Sequence, residues 1–125
     1  MNPLNHNPKS YNSLCVLPLS DVLPRVGQQD RLYVGDGETV NLNSQRLHLF
    51  KTKGVICVSC GLEGTYFSAE KSKKGNDKSY HLNLYSSTGT LLTKDHIVAK
   101  SKGGKNCLSN YQTMCSPCNK SKGSD

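Results

Sequence analysis

Tryptophan is absent from this chain of 125 residues, phenylalanine occurs only at Phe50 and Phe67, and apolar residues make up just 34%. Such a chain forms one domain with a thin core, and a large self-sufficient hydrophobic interior is excluded. A thin core calls for an added staple. Long apolar runs are missing too, which excludes a helical membrane span. The apolar stretch at 14–19 is short, broken by Pro18, and lacks a basic lead, so it does not read as a secretory signal. A cytoplasmic location is the expectation, inside the host cell if the chain is phage-encoded. No internal repeat is present. Acidic residues are scarce as well: nine Asp and Glu face sixteen Lys and Arg, a formal charge of +7.

The positive charge is uneven. Residues 94–125 hold Lys94, Lys100, Lys102, Lys105, Lys120 and Lys122 against Asp95 and Asp125. An anionic polymer, nucleic acid, is the natural partner for such a segment. A merely solvated lysine face is the plainer alternative.

Against these absences stand six cysteines, four of them in two C-x-x-C pairs: Cys57-Val58-Ser59-Cys60 and Cys115-Ser116-Pro117-Cys118. In an intracellular chain such pairs favour a metal over disulfides. Four thiolates suit a closed tetrahedral Zn²⁺ site, and a structural zinc contributes an apparent binding energy of about 10–16 kcal/mol near neutral pH. The 54 residues between the pairs exceed the usual zinc-ribbon gap, so an inserted sub-element is expected. A redox or disulfide role, or no metal at all, is the alternative. Cys15 and Cys107 read as ordinary reduced thiols that pack as small apolar groups.

Residues 1–30 are rich in Asn, Pro and Ser, and Pro3, Pro8, Pro18 and Pro24 argue against long regular structure. This segment is expected to be flexible or to wrap over a single domain at 31–125. Gly35-Asp36-Gly37 predicts a hairpin over 31–42. A short helix should follow, N-capped by Asn43, with Leu42 and Leu47 as a hydrophobic staple and Gly54 as the stop. Residues 54–61 read as a metal knuckle, where Gly61 allows the tight turn. Strands are expected at 65–70 and 79–86, joined by a lysine-rich connection at 71–78 that contains Gly75-Asn76. Tyr80, Leu82 and Leu84 alternate there with His81, Asn83 and Tyr85. A third strand at 90–98, a glycine- and lysine-rich loop at 99–108, a short strand at 111–114 and a helix at 116–122 complete the pattern. Pro117 suits the first turn of that helix.

His6, His48 and His81 have no distinguishing neighbours and read as surface or hydrogen-bonded side chains. His96 differs. It follows Asp95, sits at a predicted strand end, and precedes a glycine-rich loop leading to Asn110 and then Asn119. Asp95 and Asn119 are oxygen ligands suited to a hard, labile cation, and His96 is suited to proton transfer.

The string Asp95-His96-Ile97-Val98, Lys102-Gly103-Gly104-Lys105-Asn106, Ser109-Asn110-Tyr111-Gln112, Met114-Cys115-Ser116-Pro117-Cys118-Asn119 and Lys122-Gly123 resembles the HNH endonucleases, the His-Me finger or ββα-metal group. Asn119 stands where the third motif residue is often His. The flanking C-x-x-C pairs are similar, more distantly, to the phage recombination endonuclease VII family. The resemblance implies an α+β fold: a small zinc-stabilised domain with antiparallel strands and a C-terminal ββα-metal motif. It implies hydrolysis of DNA phosphodiester bonds, with His96 as general base and Asn110 pinning the loop and helping to orient His96. Asp95 and Asn119 would hold one divalent cation, Mg²⁺ or Mn²⁺, while Cys57, Cys60, Cys115 and Cys118 hold structural zinc. Lys100, Lys102, Lys105, Lys120 and Lys122 would contact DNA.

Two other functions fit parts of the pattern. A non-catalytic zinc module that binds nucleic acid explains the lysines and cysteines but not Asp95, His96 and Asn119. A branched-DNA resolvase keeps the chemistry but normally needs two sites on a dimer, and no helical dimerisation segment is evident. The string also poses a geometric problem. Neighbours Asp95 and His96 point to opposite faces of a regular strand, yet both must reach one phosphate, so the strand should end, twist or bulge there.

Overall fold

The computed structural model describes residues 11–72 and 78–123. Among the described residues, seven strands and two α-helices form an α+β fold. Strands β1 (Tyr11–Pro18), β4 (Gly64–Ser72), β5 (His81–Ser86), β6 (Leu91–His96) and β7 (Tyr111–Cys115) build one antiparallel sheet in the order β1-β4-β5-β6-β7. Strands β2 (Arg31–Gly35) and β3 (Glu38–Asn41) pair as a separate hairpin across Asp36-Gly37. Helix α1 (Gln45–Lys53) follows β3, and α2 (Ser116–Lys122) follows β7.

The segment at 1–30 was expected to carry little regular structure. Its residues 1–10, with His6, Pro3 and Pro8, lie outside the described residues. Residues Tyr11–Pro18, by contrast, form an edge strand of the main sheet. The prolines permit this because Pro18 closes the strand, and an edge position tolerates a missing N–H. Two short 3₁₀ turns follow, Leu19–Asp21 and Leu23–Arg25, and they carry Val22 and Val26 into the core, both fully buried. The turn expected at Gly75-Asn76 also lies outside the described residues.

The α1 cap differs from expectation by one residue. Ser44 is the N-cap, and its Oγ accepts from the Leu47 backbone N–H at 3.2 Å. Asn43 instead donates its side-chain amide to Asp30 Oδ1 at 2.6 Å. With Ser44 as cap, Leu42 and Leu47 are no longer in staple positions. Both are nonetheless core residues, with Leu49, Phe50, Phe67 and Leu84. Phe50 meets Phe67 with ring centroids 6.3 Å apart.

Strand β5 is buried on both faces rather than alternating between core and solvent. Leu82 and Leu84 pair with Ala69 and Phe67 on one face. On the other, buried Glu70 accepts from Asn83 Nδ2 at 2.6 Å and from the Tyr85 hydroxyl. Arg46 reaches in from α1 to Asn83 Oδ1 and the Leu82 carbonyl, each at 2.9 Å. Polar partners allow a polar face to be buried.

Only Leu84–Leu92 and Tyr85–Leu91 join β5 to β6. The β6–β7 hairpin therefore needs other anchors. At the free edge of β7, Lys53 Nζ donates to the Tyr111 carbonyl at 2.7 Å and the Val58 N–H to the Thr113 carbonyl at 3.0 Å. Thr113 Oγ1 donates in turn to the Gly54 carbonyl at 2.7 Å. These bonds join the end of α1 and the first cysteine loop to the hairpin.

Candidate active site

The four paired cysteines converge. Sγ atoms of Cys57, Cys60, Cys115 and Cys118 all lie within 4.8 Å of one another, and Cys60 and Cys115 are 3.7 Å apart. A tetrahedral cage with metal–sulfur bonds of about 2.3 Å has sulfur–sulfur edges of about 3.8 Å. The group can hold a metal ion. Gly61 sits at φ +81°, and its N–H closes the first loop onto the Cys57 carbonyl at 2.9 Å. Burial opposes ionisation of Cys57, but backbone hydrogen bonds from Cys115, Cys60 and Ser59 outweigh it and lower the thiol to about 6. Cys115 is pushed the other way, to about 12, chiefly by burial, so the four sulfurs do not all ionise until a metal takes the place of their protons. Cys115 caps α2 and Cys118 lies in its first turn, so closing the cluster also fixes the start of that helix.

The second site uses the same helix, through Asn119 and Lys122. Strand β6 ends at His96, with unbroken pairing to β7 from Leu92–Cys115 to His96–Tyr111. No bulge intervenes and the strand ends directly after the pair; Lys94 and His96 lie on the Tyr111 side, while Thr93 and Asp95 face α2. Beyond it the Ile97 N–H still bonds the Asn110 carbonyl at 2.7 Å. Asn110 then staples the loop: its Oδ1 accepts from Val98 N–H at 2.9 Å, and its Nδ2 donates to the carbonyls of Val98 at 3.0 Å and Lys105 at 2.9 Å. Gly104 comes so close to residue 98 that a Cβ would overlap the Val98 carbonyl oxygen.

Asp95, His96 and Asn119 line one groove of about 410 Å³, with Lys94, Lys100 and Lys122 on its walls. His96 packs edge-on against the Tyr111 ring, centroids 5.0 Å apart, and its Nε2 lies 2.8 Å from Asn106 Oδ1. With that oxygen as acceptor, Nε2 carries the ring proton and Nδ1 the lone pair. The ring's hydrogen-bond partner is therefore Asn106, whereas the Asn110 side chain bonds only backbone of the loop.

Asp95 is 6% exposed, and its Oδ2 accepts from Gln112 Nε2 at 2.9 Å. Lys122 Nζ stands 3.3 Å from the same oxygen. The amide of Asn119 is oriented by its neighbour. Thr93 Oγ1 gives its one proton to the Met114 carbonyl at 2.6 Å, so it can only accept from Asn119, whose Nδ2 lies 2.9 Å away. This directs the Asn119 oxygen to the opposite side.

Among the expected DNA-contacting lysines, Lys100 and Lys122 line the groove; Lys102, Lys105 and Lys120 are exposed outside it. Lys94 joins the groove instead, held by Gln45 Oε1 at 2.9 Å and placed 4.3 Å from the Tyr111 ring centroid. Burial lowers its pKa, and the positive charges of Arg46 and Lys100 lower it further. A groove whose cations repel one another favours an anionic guest.

Residues 86–125 match the family model described as HNH endonuclease. The HNH match covers β6, the stapled loop, β7 and α2, and so contains the whole groove and the second cysteine pair. It points to a metal-dependent nuclease, a phosphodiester hydrolase, at the level of the domain family. No curated protein and no solved structure matches the chain. Asn106, Gln112, Thr93 and Lys94 were not among the expected site residues. Thr93 and Lys94 directly precede Asp95, and Asn106 and Gln112 fall within the HNH-like string, but nothing in the sequence showed which partner each would hold. No helix among the described residues is long and apolar enough to cross a membrane.

Proposed function

We propose that this chain is a metal-dependent HNH endonuclease that hydrolyses DNA phosphodiester bonds. The observation that carries this reading is the joint lining of one lysine-walled groove by Asp95, His96 and Asn119, inside the segment that matches the HNH model. In this reading β6, β7 and α2 form the ββα-metal motif.

The groove suits a small hard cation. Asp95 already faces a positive group, and Asn119 spends its Nδ2 on Thr93 and keeps its oxygen for other partners. Carboxylate and amide oxygens, completed by water and phosphate, match the preference of Mg²⁺ or Mn²⁺. A divalent cation held there by Asp95 and Asn119 would supply positive charge against the negative charge that develops on the phosphodiester. His96 takes a proton from water through Nδ1 while Asn106 holds Nε2–H. The water oxygen forms a bond to phosphorus, the bond from phosphorus to the 3′ oxygen breaks, that oxygen takes a proton from solvent water, His96 returns its proton to solvent, and 5′-phosphate and 3′-hydroxyl ends result. Asn110 keeps the loop closed around His96. Lys94, Lys100 and Lys122 attract the phosphodiester, and Lys102, Lys105 and Lys120 extend the contact along the backbone.

The cysteine cluster holds zinc in this reading. Soft thiolates in a closed set favour zinc over a labile hard cation. Because Asn119 directly follows Cys118, the zinc fixes the residue that helps hold the catalytic ion.

Supercoiled plasmid, incubated with zinc-loaded protein, tests the reading. Cleavage should require Mg²⁺ or Mn²⁺, stop in EDTA and return when the ion is restored. DNA binding without cleavage under all divalent conditions would support a non-catalytic module instead. Preference for a four-way junction over linear duplex would assign a resolvase.

A further inference from the structure

Lys122 lies on the carboxylate proposed to hold the catalytic ion. Its Nζ is 3.3 Å from Asp95 Oδ2, and it donates to the His96 carbonyl at 3.0 Å. It comes from the last turn of α2, three residues after Asn119, and its side chain is 22% exposed. The same Oδ2 also accepts from Gln112. An incoming divalent ion must therefore displace the ammonium or settle beside it. Displacing it breaks an ion pair on a nearly buried carboxylate, and settling beside it sets like charges together.

Lysine can resolve the conflict because its ammonium sits on a flexible four-carbon stem. Lys122 lines the groove with Lys94 and Lys100, where a phosphate would be drawn. A phosphate offers the ammonium a second anionic partner. We infer that Lys122 is a tethered competitor for the divalent cation: it neutralises Asp95 in the metal-free protein and is drawn off by a DNA phosphate, so DNA and the ion bind cooperatively. Linkage makes the coupling reciprocal, each ligand raising affinity for the other. Without DNA, the protein holds the ion weakly. The inference rests on reading Asp95 as a ligand of that ion.

Mn²⁺ titration of zinc-loaded full chain, followed by electron paramagnetic resonance, tests it directly. A His96→Ala background prevents turnover when a short DNA duplex is added. Lys122→Met and Lys122→Gln remove the charge, and Lys122→Arg keeps it; all are compared at equal zinc content. Removing a unit charge that shares a carboxylate with a dication should tighten Mn²⁺ binding roughly tenfold or more, even with strong screening. Without DNA, the Met and Gln variants should show that gain and Arg should not. Adding DNA should raise Mn²⁺ affinity more in the Lys122 protein than in either neutral variant. Asp95→Asn should abolish the site in every background. Equal or weaker Mn²⁺ binding in both neutral variants would overturn the competitor role and leave Asp95 as a ligand. Absence of any Asp95-dependent Mn²⁺ binding would overturn both readings.

Discussion

Two amides and a threonine hold the polar side chains of the groove in single orientations. Asn106 accepts at His96 Nε2, Gln112 donates to Asp95, and Thr93 turns Asn119. Asn106→Ala should leave the fold intact, since the residue is exposed, but free the imidazole to rotate and change tautomer. Plasmid cleavage should fall about 10-fold or more while zinc content is unchanged; wild-type rates would show that Asn106 does not position the ring. Gly104→Ala should act by sterics, because its Cβ would overlap the Val98 carbonyl and force open the loop stapled by Asn110. Relief of such overpacking typically costs about 1–3 kcal/mol. Thermal denaturation and cleavage should both suffer, and an unaffected variant would mean that the loop yields easily. That Asp95, His96 and Asn119 would come close together was legible in the sequence because they form an ordered string. Asn106 and Gln112 were not, since their partners depend on the register of β6 against β7 and the path of the loop.

At the scale of elements, two β5–β6 pairs join the β6–β7 hairpin and α2 to the remaining sheet, hydrogen bonds from the end of α1 and the first cysteine loop add to them, and a metal on the cysteine cluster would add a further tie. That metal would tie the loop after α1 to the junction of β7 and α2. Cys115→Ser should release the metal and lower the melting temperature sharply, since metal binding to such a site is coupled to folding. Metal analysis beside calorimetry checks this; protein purified without chelators and found free of zinc would refute the zinc assignment. Helix α2 was readable from Pro117 and the C-x-x-C spacing. Strand β1 was not, because its prolines signalled irregular chain. Its pairing with β4 spans 11–18 to 66–72, a contact that no local pattern encodes. The cap of α1 was misplaced for a local reason: Asn43 and Ser44 are both good caps, and Asp30, distant in sequence, engages Asn43.

For the whole molecule, a +7 charge with three lysines on the groove predicts binding dominated by phosphate contacts. On duplex DNA each such contact should add about 0.9 to the magnitude of the slope of log affinity against log salt. Lys100→Ala should lower that magnitude by about one contact, whereas a slope near zero in wild-type protein would reduce the lysines to a solvated face. The net charge and its C-terminal bias were visible in composition, but which lysines share a groove depends on how α2 lies against β6.

The central claim is that His96 moves the proton in metal-dependent phosphodiester hydrolysis. Its most direct test compares wild-type and His96→Ala protein on supercoiled plasmid with Mg²⁺, with zinc content and DNA affinity measured on the same preparations. Loss of a general base should slow cleavage by about 10²–10⁴-fold, while zinc and DNA binding stay near wild type. Cleavage by the variant at a comparable rate would contradict the account.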